Sequence, residues 1–404
     1  MPPDSVVQDS MPKGCLDEIV THDARLLSGQ LVSLRQRLFP PSSKKALRTF
    51  TGAEAAELIG ISDAYLRQVS LAGDAPQAIK TTGGRWAYSL EQINELRRYL
   101  STSRTKTYIP VRQGTEHLQV IAVTNFKGGS GKTTTAAHLG QYLALHGYRL
   151  LAIDLDPQAS LSALFGYQPE IDIGENETLY GALRYDDAVR PLAGVVKPTY
   201  FAGLDLVPGN LELQEFEHET PRVLASQRRA GEGLFFVRIA TILESVSDRY
   251  DVVVIDCPPQ LGFLTLAALC AATAVLVTVH PQMLDIASMS QFLLMTSDLL
   301  DVVYKAGGQL RFDFLRYLVT RFEPQDGPQG QIVGFLRNLF GDRVLTNAML
   351  KSTAVSDAGL TKQTLYEIGR QGMNRGTYDR ALEAVNSVNA EVELLIRQAW
   401  GRQV

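Results

Sequence analysis

The strongest constraint in this chain is the run Asn125-Phe126-Lys127-Gly128-Gly129-Ser130-Gly131-Lys132-Thr133-Thr134-Thr135, set between stretches of different periodicity. Residues 118–124 before it are apolar and β-branched, the composition of a buried strand. Residues 136–144 after it carry apolar side chains at helical spacing. A glycine-rich turn between strand and helix leaves backbone N–H groups free to wrap a pyrophosphate, and the helix N-terminus adds a favourable dipole. In that setting Lys132 reaches the β- and γ-phosphates and the Thr133 hydroxyl ligates Mg²⁺. Lys127, Gly128, Gly129, Ser130, Gly131 and Thr134 complete the cradle. The expectation is a bound nucleoside triphosphate.

Lys127, a second lysine near the start of the loop, narrows the class. The segment from Lys127 to Thr133 resembles the deviant Walker A loop of the ParA/MinD family of dimerising ATPases. That resemblance implies that Lys127 crosses a dimer interface to the nucleotide of the other subunit, in a homodimer sandwiching two ATP molecules. Residues 148–158 are an apolar strand emerging into Asp154, Asp156, Pro157 and Gln158. Apolar runs ending in acids mark the C-terminal edge of a parallel sheet, where ligands bind. The stretch resembles the Asp-x-Asp-Pro-Gln motif of ParA proteins. By that match Asp156 positions or activates the attacking water and Asp154 supports the Mg²⁺ region. Residues 251–256, Asp-Val-Val-Val-Ile-Asp, supply the Walker B acid, Asp256, which would hold Mg²⁺ through water. With further apolar runs at 274–279 and 315–320, the expected fold is a doubly wound, mostly parallel α/β sheet. Residues 206–213 also resemble a ParA segment. The match is close over 118–385 and looser over 46–100.

Charge is unevenly spread. Residues 35–112 hold 13 Lys/Arg against 6 Asp/Glu in a chain of net charge −4, which leaves about −11 on the rest. A basic module on an acidic remainder points to an anionic partner, nucleic acid first. Within 46–100, Thr51 or Gly52 can cap a helix, Gly60 makes a turn, and Ser62 caps a second helix presenting Tyr65, Arg67 and Gln68 outward. Residues 80–88 have the turn and ribbon character of a wing, with Lys80 and Arg85 suited to phosphates. The segment resembles the MerR-like winged helix-turn-helix of larger ParA proteins; a small helical domain for protein contacts is the other reading. Residues 1–45 hold a polar tail and an amphipathic stretch from Leu16 to Phe39, read as a dimerisation helix or as a helix packed on its own domain. Residues 101–117 have linker composition, and the ATPase domain runs from 118 to 404. Lys351, Lys362, Arg370 and Arg375 are candidate DNA-phosphate contacts, or a solvated basic face.

Three cysteines without metal spacing, Cys15, Cys257 and Cys270, argue against structural zinc and for a reducing compartment. No apolar run is expected to span a bilayer. Together these features predict a partition ATPase most similar to the RepA branch of plasmid replication-partition cassettes. It would be cytoplasmic and nucleoid-associated, would use ATP and Mg²⁺, and would bind non-specific DNA for segregation. Its N-terminal module would bind operator DNA to repress its own operon. Its expected partner is a centromere-binding ParB/RepB-type protein that stimulates hydrolysis. The alternatives are a MinD-like membrane-cycling ATPase and a nucleotide-sensing repressor without a segregation role. An electron-transfer reductase like nitrogenase iron protein lacks the cluster-binding cysteines it needs.

Overall fold

Strand-forming residues and helix caps lay out two modules in chain order. The computed structural model describes residues 15–38, 45–71, 75, 76, 78–80, 86–103, 107–226, 234–308, 310–369 and 374–402. The first helix, α1 (Leu16–Leu38), leaves Leu16, Val20, Leu26 and Leu27 exposed. It belongs to a unit Met1–Lys45, separate from a second unit Ala46–Val404. In the second unit the Thr51 hydroxyl accepts from the Glu54 N–H while the Glu54 carboxylate accepts from the Thr51 N–H. This reciprocal cap starts α2 (Gly52–Ile59). Gly60 ends it in left-handed backbone, φ 79°, where any side chain would be strained. Ser62 then caps α3 (Asp63–Leu71) by accepting from the Tyr65 N–H. Three short strands, β1 (Phe50–Thr51), β2 (Ile79–Lys80) and β3 (Trp86–Tyr88), pair antiparallel in the order β1-β3-β2. The helix α4 (Leu90–Ser103) follows.

The larger sheet is built from β4 (Gln119–Thr124), β5 (Leu150–Asp154), β6 (Lys197–Pro198), β7 (Leu204–Val207), β8 (Val252–Asp256), β9 (Ala274–Val279) and β10 (Phe314–Val319). Their spatial order is β10-β9-β4-β8-β5-β7-β6, parallel throughout except where β6 meets β7. Strands buried on both faces have no solvent side to alternate with, which is why the central ones read as unbroken apolar runs. Both faces are covered by helices: α5 (Lys132–Leu145), α6 (Ser160–Leu164), α7 (Leu213–Ala225), α8 (Phe263–Ala271), α9 (Met283–Lys305), α10 (Gly327–Phe340), α11 (Thr353–Leu360) and α12 (Arg375–Ala399). This is the α/β fold expected from the sequence.

Within the expected linker, residues 107–117 are hydrogen-bonded to the module that carries the larger sheet. Asp251 accepts from the Arg112 N–H at 3.0 Å, and Arg402 donates to the Pro110 and Val111 carbonyls at 3.1 and 2.8 Å. The core itself crosses the same seam. Ile121, Val123, Val254 and Leu276 of the sheet belong to one buried cluster with Phe50, Leu66, Ile93 and Leu96 of the N-terminal module. One expectation is corrected: α9 is long and apolar enough to cross a bilayer, although no such run was expected. Its charges, Asp285, Asp298, Asp301 and Lys305, sit toward the two ends and leave residues 286–297 uncharged. Here it is a docked helix, with Met289, Phe292 and Val303 buried. Its exposed Met283 and Leu294 border an apolar groove of about 1030 Å³ with Phe335 and Leu339 of α10.

Candidate nucleotide-binding site

The glycine-rich loop leaves the C-terminal end of β4 and enters α5 at Lys132. Gly131 stands before the helix at φ 90°, and a Cβ there would lie 3.5 Å from Thr320. Side chains from the ends of neighbouring strands hold the loop. The Asn125 amide donates to the Thr278 carbonyl at 2.5 Å and accepts from the Lys127 N–H at 3.0 Å. The Ser130 and Thr278 hydroxyls are bonded at 2.9 Å, and the Thr320 hydroxyl donates to the Ser130 carbonyl at 2.7 Å. A loop fixed in this way presents its N–H groups without having to reorganise first.

The two lysines are held differently. Lys132 is buried, and its ammonium donates to the Lys127 carbonyl at 3.2 Å. Burial pulls its pKa down while Asp256 and Asp156 pull it up. Lys127 is half-exposed and forms an ion pair with Asp285, a buried carboxylate at the start of α9. The other Asp285 oxygen accepts from His280 Nδ1 at 3.0 Å. Burial, Arg321, Lys127 and Lys351 together keep the His280 imidazole below its usual pKa. In the single chain, then, the lysine expected to serve a neighbouring subunit is engaged at home. Asp285, His280, Thr278 and Thr320 escaped the sequence reading. Only His280 and Thr320 carried a signal, a polar residue just past an apolar strand; Thr278 lies within β9 and Asp285 in the first turn of α9.

Two carboxylates lie side by side where β5 and β8 end, since Asp154 and Asp256 are partners in the parallel register. Both are fully buried, and both are pushed up, Asp154 to about 7 and Asp256 well above the carboxylate range. Burial is the main cause in each. Asp156 adds to it at Asp154, and Asp154 at Asp256. Asp154 also shapes the backbone that follows β5. One of its oxygens accepts from the Ser162 N–H and hydroxyl at 2.8 and 2.7 Å, the other from the Asp156 N–H at 3.2 Å. Asp256 has neither oxygen hydrogen-bonded, although the Thr133 hydroxyl and Lys132 ammonium beside it favour the anion. A buried carboxylate without partners is costly unless a cation joins it. Among the described residues no group of three or more His, Cys, Asp or Glu side chains could hold an ion alone. Thr133 and Asp256 fit Mg²⁺, which takes few protein ligands and keeps much of its water. Asp156 is half-buried at the sheet edge, its Oδ1 accepting from the Gln158 N–H at 2.9 Å.

The expected DNA contacts fare unevenly. Arg67 and Gln68 are exposed on α3, Arg67 in an ion pair with Asp63. Tyr65, also on α3, is half-buried and packs against the apolar cluster. The Lys80 side chain, Arg85 and Arg370 lie outside the described residues. Lys351 is paired with Glu323 at 2.9 Å, Lys362 is half-buried, and Arg375 is exposed at the start of α12. Part of the basic surplus is spent inside. Arg97 is buried, and Arg112 is bonded to the Tyr250 carbonyl.

A rigid phosphate loop, a buried lysine, and paired acids at the end of a parallel sheet define a P-loop nucleotide-binding protein with a doubly wound fold. The profile of a family described as an AAA domain matches residues 118–305. A Rhizobium rhizogenes protein described as a replication protein A is 58% identical over 96% of both chains. SopA of Escherichia coli is 30% identical, over 89% of this chain and 92% of its own. These relatives place the chain in the ParA family of partition ATPases, to which it belongs. A solved partition protein has the same fold over 93% of this chain and 98% of its own, at 18% identity and TM-score 0.60. Cobyrinic acid a,c-diamide synthase of Mycobacterium smegmatis, solved with an ATP analogue and magnesium, is 27% identical over 71% of this chain and 98% of its own, TM-score 0.52.

Proposed function

We propose that this chain is a plasmid-partition ATPase that closes into an ATP-loaded homodimer, binds DNA in that form, and hydrolyses ATP slowly until a ParB/RepB-type partner stimulates it. The observation that carries the reading is a preorganised loop with two lysines, one buried at the helix start and one at the rim. Lys132, the backbone of Gly128 to Thr134 and the α5 N-terminus hold the phosphates. Thr133 and Asp256 would hold Mg²⁺, which would neutralise charge on the triphosphate. Asp154 shapes the turn that presents Asp156, and Asp156 orients the attacking water. Lys127 leaves Asp285 and reaches the partner's nucleotide when two chains meet. Catalysis of this kind is positioning and charge stabilisation, so a monomer with half the charges is a poor catalyst.

The N-terminal module acts as a winged helix-turn-helix that binds operator DNA and represses the chain's own operon, with Arg67 and Gln68 of α3 toward the DNA and Lys80 and Arg85 on the wing. Lys351, Arg370 and Arg375 contribute to non-specific binding, and α1 serves self-association. The protein acts in the cytoplasm on the nucleoid. The C-terminal helix supports DNA over membrane as its surface, because α12 buries Tyr378, Val385, Val388, Val392 and Ile396 instead of offering an apolar face.

Sedimentation with Mg²⁺ and a non-hydrolysable ATP analogue tests the core of this proposal. Wild type is expected to dimerise, Lys132→Ala to lose nucleotide binding, and Lys127→Ala to bind nucleotide as a monomer. Normal dimerisation of Lys127→Ala would falsify the sandwich. A second reading, a nucleotide-sensing repressor without segregation, draws on the helix–turn–helix geometry of α2 and α3. Plasmid-stability and reporter-repression assays on the Lys132→Ala strain separate the two, since only a partition ATPase loses the plasmid.

A further inference from the structure

Arg321 stands immediately past β10 in left-handed backbone at φ 52°, a conformation costly for a residue with a Cβ and found most often where function holds it. The chain on either side leaves it no freedom to relax. The Thr320 N–H donates to the Val279 carbonyl at 2.8 Å and the Phe322 N–H to the Met349 carbonyl at 3.0 Å. The result of this strain is that the guanidinium is aimed at the phosphate loop, where Nη1 donates to the Gly129 carbonyl at 3.3 Å.

Its charge is the second observation. Three cations, Arg321, Lys127 and Lys351, lie close enough to His280 to depress its protonation. Lys127 is neutralised by Asp285 and Lys351 by Glu323. Among the described residues no carboxylate pairs with Arg321, which is exposed at the rim of the loop. A guanidinium has five N–H donors, and here one is used. Its planar fork suits phosphate oxygens, and bonds of that kind are among the stronger ones in proteins.

We propose that Arg321 is a phosphate-binding residue of the nucleotide site, contacting the terminal phosphate of the triphosphate. The inner phosphates take the loop N–H groups and the α5 N-terminus, so the terminal one has the greatest need of a further cation at the rim. The strained backbone delivers that cation, and Arg321 distinguishes triphosphate from diphosphate. The inference rests on the loop being a nucleotide site.

The test titrates fluorescent mant-ATP and mant-ADP, with Mg²⁺, into full-length wild type, Arg321→Gly, Arg321→Lys and Lys132→Ala. Glycine removes the guanidinium yet accepts the left-handed backbone, so folding is preserved and a thermal melt confirms it. For Arg321→Gly we expect mant-ATP to bind about 10-fold more weakly, equivalent to about 1.4 kcal/mol, with mant-ADP changed less than about twofold. Arg321→Lys should keep part of the preference. An Arg321→Gly protein that binds both nucleotides as wild type does, or loses both equally, overturns the proposal. Failure of wild type itself to bind, with Lys132→Ala no different, would instead sink the nucleotide-site reading.

Discussion

Asp156 and Asp256 both belong to the nucleotide edge of the sheet, and their hydrogen bonds assign them different work. Asp256 is buried and unpartnered, a place for a cation, whereas Asp156 is half-exposed and bonded only locally. Asp156→Ala is therefore expected to bind ATP within about twofold of wild type while hydrolysis slows by about 100-fold or more, as loss of a positioned base or water-orienting group does. Stopped-flow binding beside steady-state phosphate release measures both. A second residue-scale prediction concerns His138 on α5. Burial holds its imidazole below the usual pKa, against the pull of the Thr134 carbonyl and Glu367. A base with a depressed folded-state pKa binds fewer protons folded than unfolded. Its contribution to stability is whole above the unfolded value, near 6.5, and drains as pH falls through it. His138→Gln should accordingly lose less melting temperature than wild type between about pH 7 and about pH 5.5, by calorimetry.

At the scale of elements, α5 links the nucleotide loop to the N-terminal module. Its first residue is Lys132, and the carbonyl of its last, Leu145, accepts from Arg97 of α4. Arg97 also donates to the Leu58 carbonyl at 2.6 Å and the Asn94 side chain at 2.6 Å. Burial lowers its pKa to about 10, with Glu393 of α12 opposing, so it remains charged. Arg97→Met strands two carbonyls and should cost about 3 kcal/mol in urea unfolding. A loss under about 0.5 kcal/mol would mean that the seam does not depend on this residue. These elements also mark what the sequence could reveal. Strand, loop and helix around Lys132 were legible because their chemistry lies in consecutive residues, and so were the acids ending β5 and β8. Arg97 was counted with the basic surface, because spacing along α4 cannot say that a second module covers that face. Thr278, Asp285 and Arg321 reach the loop only through the parallel order of β4, β9 and β10, which local pattern does not contain.

For the whole molecule, the chain divides at residue 45 into two compact units. Removing residues 1–45 should leave the thermal midpoint of the rest within about 2 °C of the full chain, while any self-association seen without nucleotide is lost. Light scattering on both forms checks the second part. No comparable division separates residues 46–100 from the sheet, where one apolar cluster and the bonded stretch around Arg112 bind the module to its ATPase. That seam sets a ruler. If two chains join at their phosphate loops and α3 reads DNA as proposed, the two copies of α3 stand at a distance dictated by the join. An operator palindrome lengthened by half a helical turn of DNA would then be refused even with every contacted base intact.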